Sequence, residues 1–304
     1  MPGTGVKESR VGIVSLAAGR YTFCMENVKS RLAVLPAAFL LAAGLFAGVG
    51  PAAAQVAPPP GSAVPAVPVQ LRGEALLKAL GVQFVRIPGG EFEMGAPEEV
   101  EVDAPNPPRR VVVRPFELSR YEITQAQWEM VMGSNPSLFT GCPACPVEQV
   151  SWDMAHQFLD KVAELTGERW RLPTEAEWEF AAGEGAAHRR WAGTDDVAEI
   201  GEYAWFRPNA GMRTHPVGQK RPNAFGLYDM NGNVYEWCED WLSRLAPGEG
   251  PVENPAGPAK GQYKILRGGS YGLVPHYQRT CYREWAVPER GYDDNGLRPA
   301  RDSR

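Results

Sequence analysis

The sequence has no excess of basic residues. Its 304 residues include 31 lysines and arginines against 36 aspartates and glutamates, which gives a formal net charge of −5. A protein that binds nucleic acid needs clustered positive charge to neutralise phosphates, so the slight excess of acidic residues argues against nucleic-acid partners. Histidine is also scarce, and none of the four histidines shows the HxxxH or HxxE spacing that iron and zinc sites use: His156, His188, His215 and His276.

Glycine and proline, by contrast, are abundant. The 33 glycines and 28 prolines make up about a fifth of the chain, well above the roughly 12% of an average protein. Hydrophobic residues account for 44% of the sequence, which is enough for a core. We therefore expect one α+β domain with many loops and little regular secondary structure.

Helix caps and alternating patterns predict the positions of the elements. A Ser or Thr at the start and a glycine at the end predict helices over residues 124–132, 151–167 and 174–182. Leucines on one helical face predict a further short helix over residues 71–80. Alternating or β-branched segments predict strands, two of them around a Pro-Gly-Gly turn within residues 82–94 and the others over residues 111–118, 264–267 and 279–283.

The amino-terminal part of the chain has the pattern of an export signal. Lys29 and Arg31 precede an uncharged apolar stretch over residues 32–49, and Ala52 and Ala54 supply the small residues that signal peptidase needs. The alternative is an uncleaved membrane anchor, since the apolar stretch approaches the roughly 20 residues that span a bilayer. The cleavage pattern favours removal of the segment.

Three regions follow from this interpretation. Residues 1–54 are predicted to be a signal peptide, with Met25 as the true start. Residues 55–82 form a proline-rich tether followed by the short helix, and residues 83–304 form the folded domain. The mature protein is then expected to be periplasmic or secreted, and it contacts a membrane only if the signal stays uncleaved.

Seven blocks of the sequence resemble the formylglycine-generating enzyme family, also known as sulfatase-modifying-factor domains. The blocks occur in the family's order: Pro88–Gly95, Tyr121–Trp128, Cys145–Trp152, Arg171–Gly183, Thr214–Trp241, Leu266–Gly272 and Asn295–Arg301. The resemblance implies a compact, irregular fold with a C-type-lectin-like topology, in agreement with the α+β class expected from composition. Fold alone does not settle the chemistry.

The resemblance also implies where a catalytic centre would lie. Family members that oxidise a sulfatase cysteine to formylglycine hold Cu(I) with two cysteines that follow a Gly-Gly-Ser triplet, because soft thiolates select that ion. Here the triplet ends at Ser270, Leu273 stands at the first cysteine position, and Gln278 (or Pro275, with a shifted gap) stands at the second. The chain therefore resembles members that lack the cysteine pair, and bound copper is not expected.

Polar side chains in the same loop are the remaining catalytic candidates. Ser270, Tyr271 and His276 lie where the family keeps its centre, with Tyr282 and Arg283 nearby in sequence, so they could line a polar pocket. The alternative for His276 is a solvated loop histidine without a catalytic role.

A second loop has the composition of a cation site. The resemblance implies a structural calcium ion held by the side chains of Asp229 and Glu236 and the carbonyls of Gly232 and Val234. Such oxygen ligands from a glycine-containing turn suit a hard cation. The alternative is a tight turn in which the glycine serves only to permit positive φ.

Four cysteines remain after the predicted cleavage. Cys142 and Cys145 have CxxC spacing, which in an oxidising compartment predicts a local disulfide in a loop. Cys238 and Cys281 are left as a possible second bridge.

Three functions are consistent with these observations. The first is an atypical oxidase or modifying enzyme that acts on a peptide or small molecule after export. The alternative is a non-catalytic module that binds a peptide, a glycan or an envelope protein. The third is formylglycine generation, that is, sulfatase activation, by a different ligand set.

Overall fold

The computed structural model describes residues 71–96, 106–243 and 251–303. The predicted signal peptide and most of the predicted tether lie outside these described residues. Within the described ranges, no helix combines the length and the apolar composition that a membrane crossing requires.

Three helices begin at the capping residues that the sequence predicts. The Thr124 side chain accepts a hydrogen bond from Gln127 N, and Gln127 Oε1 accepts one from Thr124 N; Thr174 and Glu177 form the same capping box. Ser151 caps the longest helix through Met154 N. The helices are α1 Gly73–Leu80, α2 Gln125–Met132, α3 Trp152–Thr166, α4 Glu175–Ala182 and the single-turn α5 Ile200–Tyr203.

The strands are short and form three small sheets. Within the described residues they are β1 Phe84–Ile87, β2 Gly90–Met94, β3 Arg109–Val113, β4 Phe116–Ser119, β5 Tyr235–Trp241, β6 Val252–Glu253, β7 Lys264–Arg267, β8 Glu284–Ala286, β9 Asn295–Gly296 and β10 Ala300–Asp302. The sheet orders are β1-β4-β10, β2-β3-β6 and β8-β7-β5-β9. Strands β1 and β4 pair antiparallel, from Phe84 opposite Ser119 to Ile87 opposite Phe116.

Two strand predictions are corrected. The segment predicted as one strand over residues 111–118 forms two strands, β3 and β4, which belong to different sheets. The strands are separated at Arg114 and Pro115, because proline has no N–H to donate to a neighbouring strand. Residues 279–283 form turns and extended backbone, and the strand there begins only at Glu284. The strands around the Pro-Gly-Gly turn exist, but each pairs elsewhere and they form no hairpin.

The four-stranded sheet separates two hydrophobic cores. Trp237 of β5 and Leu266 of β7 point into a core built with α1, α2 and α3. Their neighbours Cys238 and Ile265 point into a second core, built with β1 to β4 and α4. This arrangement follows from the strand period of two, which sends successive side chains to opposite faces.

Helix α1 belongs to the folded domain. Leu76 and Leu80 are buried in the first core, together with Ile123 and Trp128. The structure therefore places this helix in the domain itself, although the sequence assigns it to the segment before residue 83. The remaining outline, an α+β fold low in regular structure, is as predicted.

Candidate functional site

The Gly-Gly-Ser triplet forms a tight turn at the end of β7. Gly269 has φ 74°, and a Cβ on it would lie 2.7 Å from Gln278 Oε1 and 2.8 Å from the Tyr277 carbonyl oxygen. Only glycine combines this φ with such close packing. The turn therefore sets the course of residues 270–278, which contain all three predicted catalytic residues.

Ser270 and Tyr271 are buried and hydrogen-bonded to two consecutive aspartates. Ser270 Oγ donates to Asp294 Oδ2 at 3.1 Å, and the Tyr271 hydroxyl donates to Asp293 Oδ2 at 3.2 Å. The Tyr271 ring also meets Phe139 edge-on, with 5.2 Å between ring centroids. Burial and the two neighbouring carboxylates raise the pKa of the Tyr271 hydroxyl, so it stays protonated at neutral pH.

His276 makes different contacts from those two residues. It lies half-buried in a short 3₁₀ turn, Pro275–Gln278, and its ring packs edge-on against those of Tyr277 and Tyr282. The contacts of Ser270 and Tyr271 run to Asp293 and Asp294 instead. The predicted catalytic residues thus share a loop but form two clusters, without a serine–histidine or tyrosine–histidine hydrogen bond between them.

The positions that carry copper ligands in the family hold structural residues here. Leu273 packs against the first core. Gln278 is fully buried, and its Nε2 donates to the Ser270 carbonyl at 2.8 Å. The Pro275 carbonyl accepts a hydrogen bond from Trp191 Nε1 at 2.9 Å. None of these residues offers a soft ligand, so they do not fit a two-thiolate Cu(I) centre.

Cys238 and Cys281 are free thiols, which corrects the prediction of a second bridge. Cys238 lies on β5 and Cys281 lies three residues before β8, and the sheet order places β7 between those strands. Burial raises the pKa of both thiols, to about 11 for Cys281, so both are neutral at pH 7.

The local disulfide is confirmed. Cys142 and Cys145 are bonded, and the two Cα atoms are 5.3 Å apart. The bond lies in the loop that precedes the buried Val147, and carbonyls of this loop accept hydrogen bonds from the first N–H groups of α2.

Asp229 is the predicted calcium ligand that keeps a free oxygen. Its carboxylate is buried, Oδ2 accepts from Gly218 N at 2.7 Å, and Oδ1 has no hydrogen-bond partner. Burial raises its pKa to about 6. The backbone has φ 55° at Asp229 and 82° at Gly232, as expected of a tight turn.

Glu236 is engaged in a buried ion pair instead. Arg298 Nε lies 2.9 Å from both carboxylate oxygens, Arg298 Nη2 lies 2.7 Å from Oε1, and Trp178 Nε1 donates to Oε2 at 2.7 Å. These donors occupy both oxygens and place a positive charge beside them, which opposes a divalent cation. The predicted residues therefore fit calcium only in part, and calcium at this loop stays a prediction.

Sequence reasoning missed the partners that organise this region. Arg298 lies in the last family block, but nothing in the sequence pairs it with Glu236, 62 positions away. Asp293 and Asp294 stand in a GYDDNG segment of turn-forming composition, so their hydrogen bonds to Tyr271 and Ser270 depend on long-range folding. The available signal was the proximity of these residues to the last family block.

Three exposed apolar side chains lie in the triplet loop or in segments that contact it. We call Leu138, Met212 and Val274 the apolar face; they are 55%, 55% and 38% exposed. Leu138 adjoins Phe139, which packs on Tyr271, and a Cβ on Gly272 would lie 3.6 Å from Met212 Cε. Met212 also has φ 58°, a backbone conformation that non-glycine residues seldom adopt. The site thus combines exposed apolar side chains with buried, hydrogen-bonded polar residues, Ser270 and Tyr271.

The fold and this loop define a C-type-lectin-like domain of the sulfatase-modifying-factor type. Residues 76–303 match the family described as Sulfatase-modifying factor enzyme 1-like domain. The formylglycine-generating enzyme of Streptomyces coelicolor is 31% identical, over 72% of this chain and 89% of that protein. The chaperone protein LppX of Paenibacillus barcinonensis is 30% identical, over 63% of this chain and 79% of that protein.

Solved structures give the same assignment. Treponema denticola variable protein 1 superimposes with a TM-score of 0.66 and 30% identity, over 72% of this chain and 95% of that one. The chain belongs to the sulfatase-modifying factor enzyme 1-like family, and the predicted family and fold are confirmed.

Proposed function

We propose that this protein is a non-catalytic binding module that holds a peptide segment of a protein partner on its apolar face. The observation that carries the proposal is a contrast around the triplet loop. The polar side chains of Ser270 and Tyr271 are buried and hydrogen-bonded, while the apolar side chains of Leu138, Met212 and Val274 are exposed to solvent.

The inward polar groups are poorly suited to catalysis. Ser270 is 1% exposed and donates to a carboxylate, with no histidine placed to take its proton. The Tyr271 hydroxyl is held in its protonated form beside Asp293, and the two free thiols are neutral and buried. The bases within hydrogen-bond reach of these two hydroxyls are the carboxylates of Asp294 and Asp293, but both hydroxyls belong to buried residues and are not open to a substrate.

The exposed groups suit a peptide better than a glycan. Sugar recognition depends on exposed hydrogen-bonding groups or on open aromatic rings, but the Tyr271 ring is only 5% exposed. Leu138, Met212 and Val274 instead offer separate apolar contacts, each able to accommodate one side chain of an extended segment. The strained φ of Met212 is consistent with a functional role, since such conformations persist mainly where the surroundings enforce them.

The relatives favour two functions. The name of the Paenibacillus relative, a chaperone, is consistent with binding of protein segments. The Streptomyces relative is named a formylglycine-generating enzyme, so oxidation of a bound peptide is the second candidate. We infer that both functions would act on an exported partner, because the sequence predicts a signal peptide.

A peptide selection tests the proposal directly. Peptides displayed on phage are selected on the purified protein, and the best binder is synthesised with a fluorophore for anisotropy titration. We expect Met212→Lys and Leu138→Lys each to weaken binding about tenfold or more, because a charge would then occupy the contact that excludes water.

The matched control is Val252→Lys. Val252 has the same 38% exposure as Val274 but lies on β6, in the sheet β2-β3-β6. Equal weakening by Val252→Lys, full affinity in both face variants, or a selection that yields no saturable binder would each contradict the proposal. A change in peptide mass after incubation with the protein in air would support the oxidase instead.

A further inference from the structure

The Cys142–Cys145 disulfide has one accessible and one buried sulfur-bearing residue. Cys142 is half-buried, the intervening Pro143 and Ala144 are exposed, and Cys145 is 1% exposed. A thiol from another molecule can therefore approach Cys142 past two small exposed residues. Cys145 can be reached only from inside the protein.

Main-chain hydrogen bonds hold this loop independently of the sulfur–sulfur bond. Gln125 N donates to the Cys145 carbonyl at 2.9 Å, and Ala126 N donates to the Pro143 carbonyl at 3.0 Å. Val217 N donates to the Ala144 carbonyl at 3.0 Å. The loop thus satisfies two of the free N–H groups at the start of α2, and these bonds do not require the disulfide.

The bond also contributes little as a cross-link. Disulfides stabilise a fold mainly by restricting the unfolded chain, and the effect grows with the length of the loop they close. A separation of three residues gives one of the smallest loops possible. The anchored loop and the small ring together suggest a reactive role rather than a purely structural one.

We propose that Cys142–Cys145 is an exchange-active disulfide that accepts electrons from thiols of small molecules or peptides. An incoming thiolate attacks Sγ of Cys142, the Cys142–Cys145 bond breaks, and Cys145 leaves as a thiolate that takes up a proton. A second incoming thiolate then attacks the sulfur bonded to Cys142, which releases Cys142 as a thiolate. The protein disulfide is reduced by two electrons, and two substrate thiols are oxidised to one disulfide.

The other thiols do not interfere with this exchange. Cys238 and Cys281 are buried, and burial raises the pKa of both, so they present neither access nor thiolate. They serve as internal controls for any chemistry at the CxxC loop. The exchange site does not depend on the proposed peptide binding, because Cys142 and Cys145 are not part of the apolar face and the exchange uses none of its side chains.

A glutathione titration of the full chain tests the inference. The protein is equilibrated in buffers of reduced and oxidised glutathione, free thiols are trapped by alkylation, and peptides are identified by mass spectrometry. We expect reducing buffer to free both cysteines while near-ultraviolet circular dichroism stays native, so that Cys142 is alkylated in the native protein and the buried Cys145 after acid quenching and denaturation. Oxidised glutathione should restore the bond. Reduction that occurs only as the fold is lost would overturn the inference.

Two matched variants identify the attacked sulfur. Cys145→Ser should accumulate a mixed disulfide with glutathione at Cys142, because no internal thiol can expel it. Cys142→Ser should give no adduct at the buried Cys145. Equal adducts in the two variants, or none in either, would contradict the assignment of Cys142, and the wild-type titration remains decisive if a variant does not fold.

Discussion

Asp240 shows how burial makes a single carboxyl group sensitive to pH. It lies on β5, its Oδ2 accepts a hydrogen bond from Glu175 N at 2.8 Å, and it is 4% exposed. Burial and the nearby Glu175 carboxylate raise its pKa from 3.8 to about 7, against the opposing charge of Arg283. The folded protein therefore keeps a proton on Asp240 that the unfolded chain has already released.

We expect the free energy of unfolding to fall as pH rises between about 4 and 7, by at most about 1.4 kcal/mol per pH unit for this one group. Asp240→Asn has no such proton and should show a flatter profile in urea unfolding across this range. Asp302→Asn is the control, because the Asp302 side chain is 90% exposed. Parallel profiles for Asp240→Asn and the wild type would contradict the raised pKa.

Individual residues also show which parts of the site could be predicted from the sequence and which could not. The second thiolate position stayed open between Gln278 and Pro275, whereas Leu273 was identified at the first because the triplet before it fixes the alignment. The pairing of Glu236 with Arg298 was not predicted, because an ion pair across 62 positions leaves no local pattern. The same cause explains the wrong Cys238–Cys281 bridge, since counting cysteines does not reveal which of them long-range folding brings together.

Elements with local signals were predicted most accurately. Helices α2, α3 and α4 begin and end as expected, because a capping side chain and a terminal glycine act within a few residues. Strands depend on partners far away in the chain, so the single strand predicted over residues 111–118 became two. The strand β5 was missed, because its neighbours β7 and β9 come from distant segments.

The turn after β7 gives a prediction at this scale. Gly269 and Gly133 both have positive φ, 74° and 83°, but a Cβ would clash only at Gly269, where Gln278 Oε1 lies 2.7 Å away. Both alanine substitutions should cost about 1–2 kcal/mol of backbone strain, and Gly269→Ala should cost about 1–3 kcal/mol more from overpacking. Urea unfolding measures the difference, and equal losses in the two variants would show that the turn can relax around the added methyl group.

For the whole molecule, the sequence predicted the family and the fold class but not the division into two cores. Seven ordered blocks identified the family, and the composition gave the α+β class. The division into two cores depends on the alternation of side chains along β5 and β7. Trp237 and Leu266 point into one core, and Cys238 and Ile265 point into the other. This assignment requires the pairing of the two strands, which the sequence does not reveal. The apolar face likewise joins Leu138, Met212 and Val274 from three separate loops.

The cellular location can be tested on the entire chain. Lys29, Arg31 and the apolar residues 32–49 predict export, and the small residues Ala52 and Ala54 predict cleavage after Ala54. In a bacterial host with a periplasm, we expect the soluble periplasmic protein to begin at Gln55 by mass spectrometry. Deletion of residues 1–24 should leave export unchanged, because Met25 precedes the basic flank.

The cleavage site itself provides the matched pair of variants. Ala54→Arg should block signal peptidase, which requires a small residue there, and leave the uncleaved protein in the membrane fraction. Ala54→Ser keeps a small residue and should be processed normally. A wild-type protein that keeps residues 32–49 and sediments with membranes would instead show that the apolar stretch is an anchor.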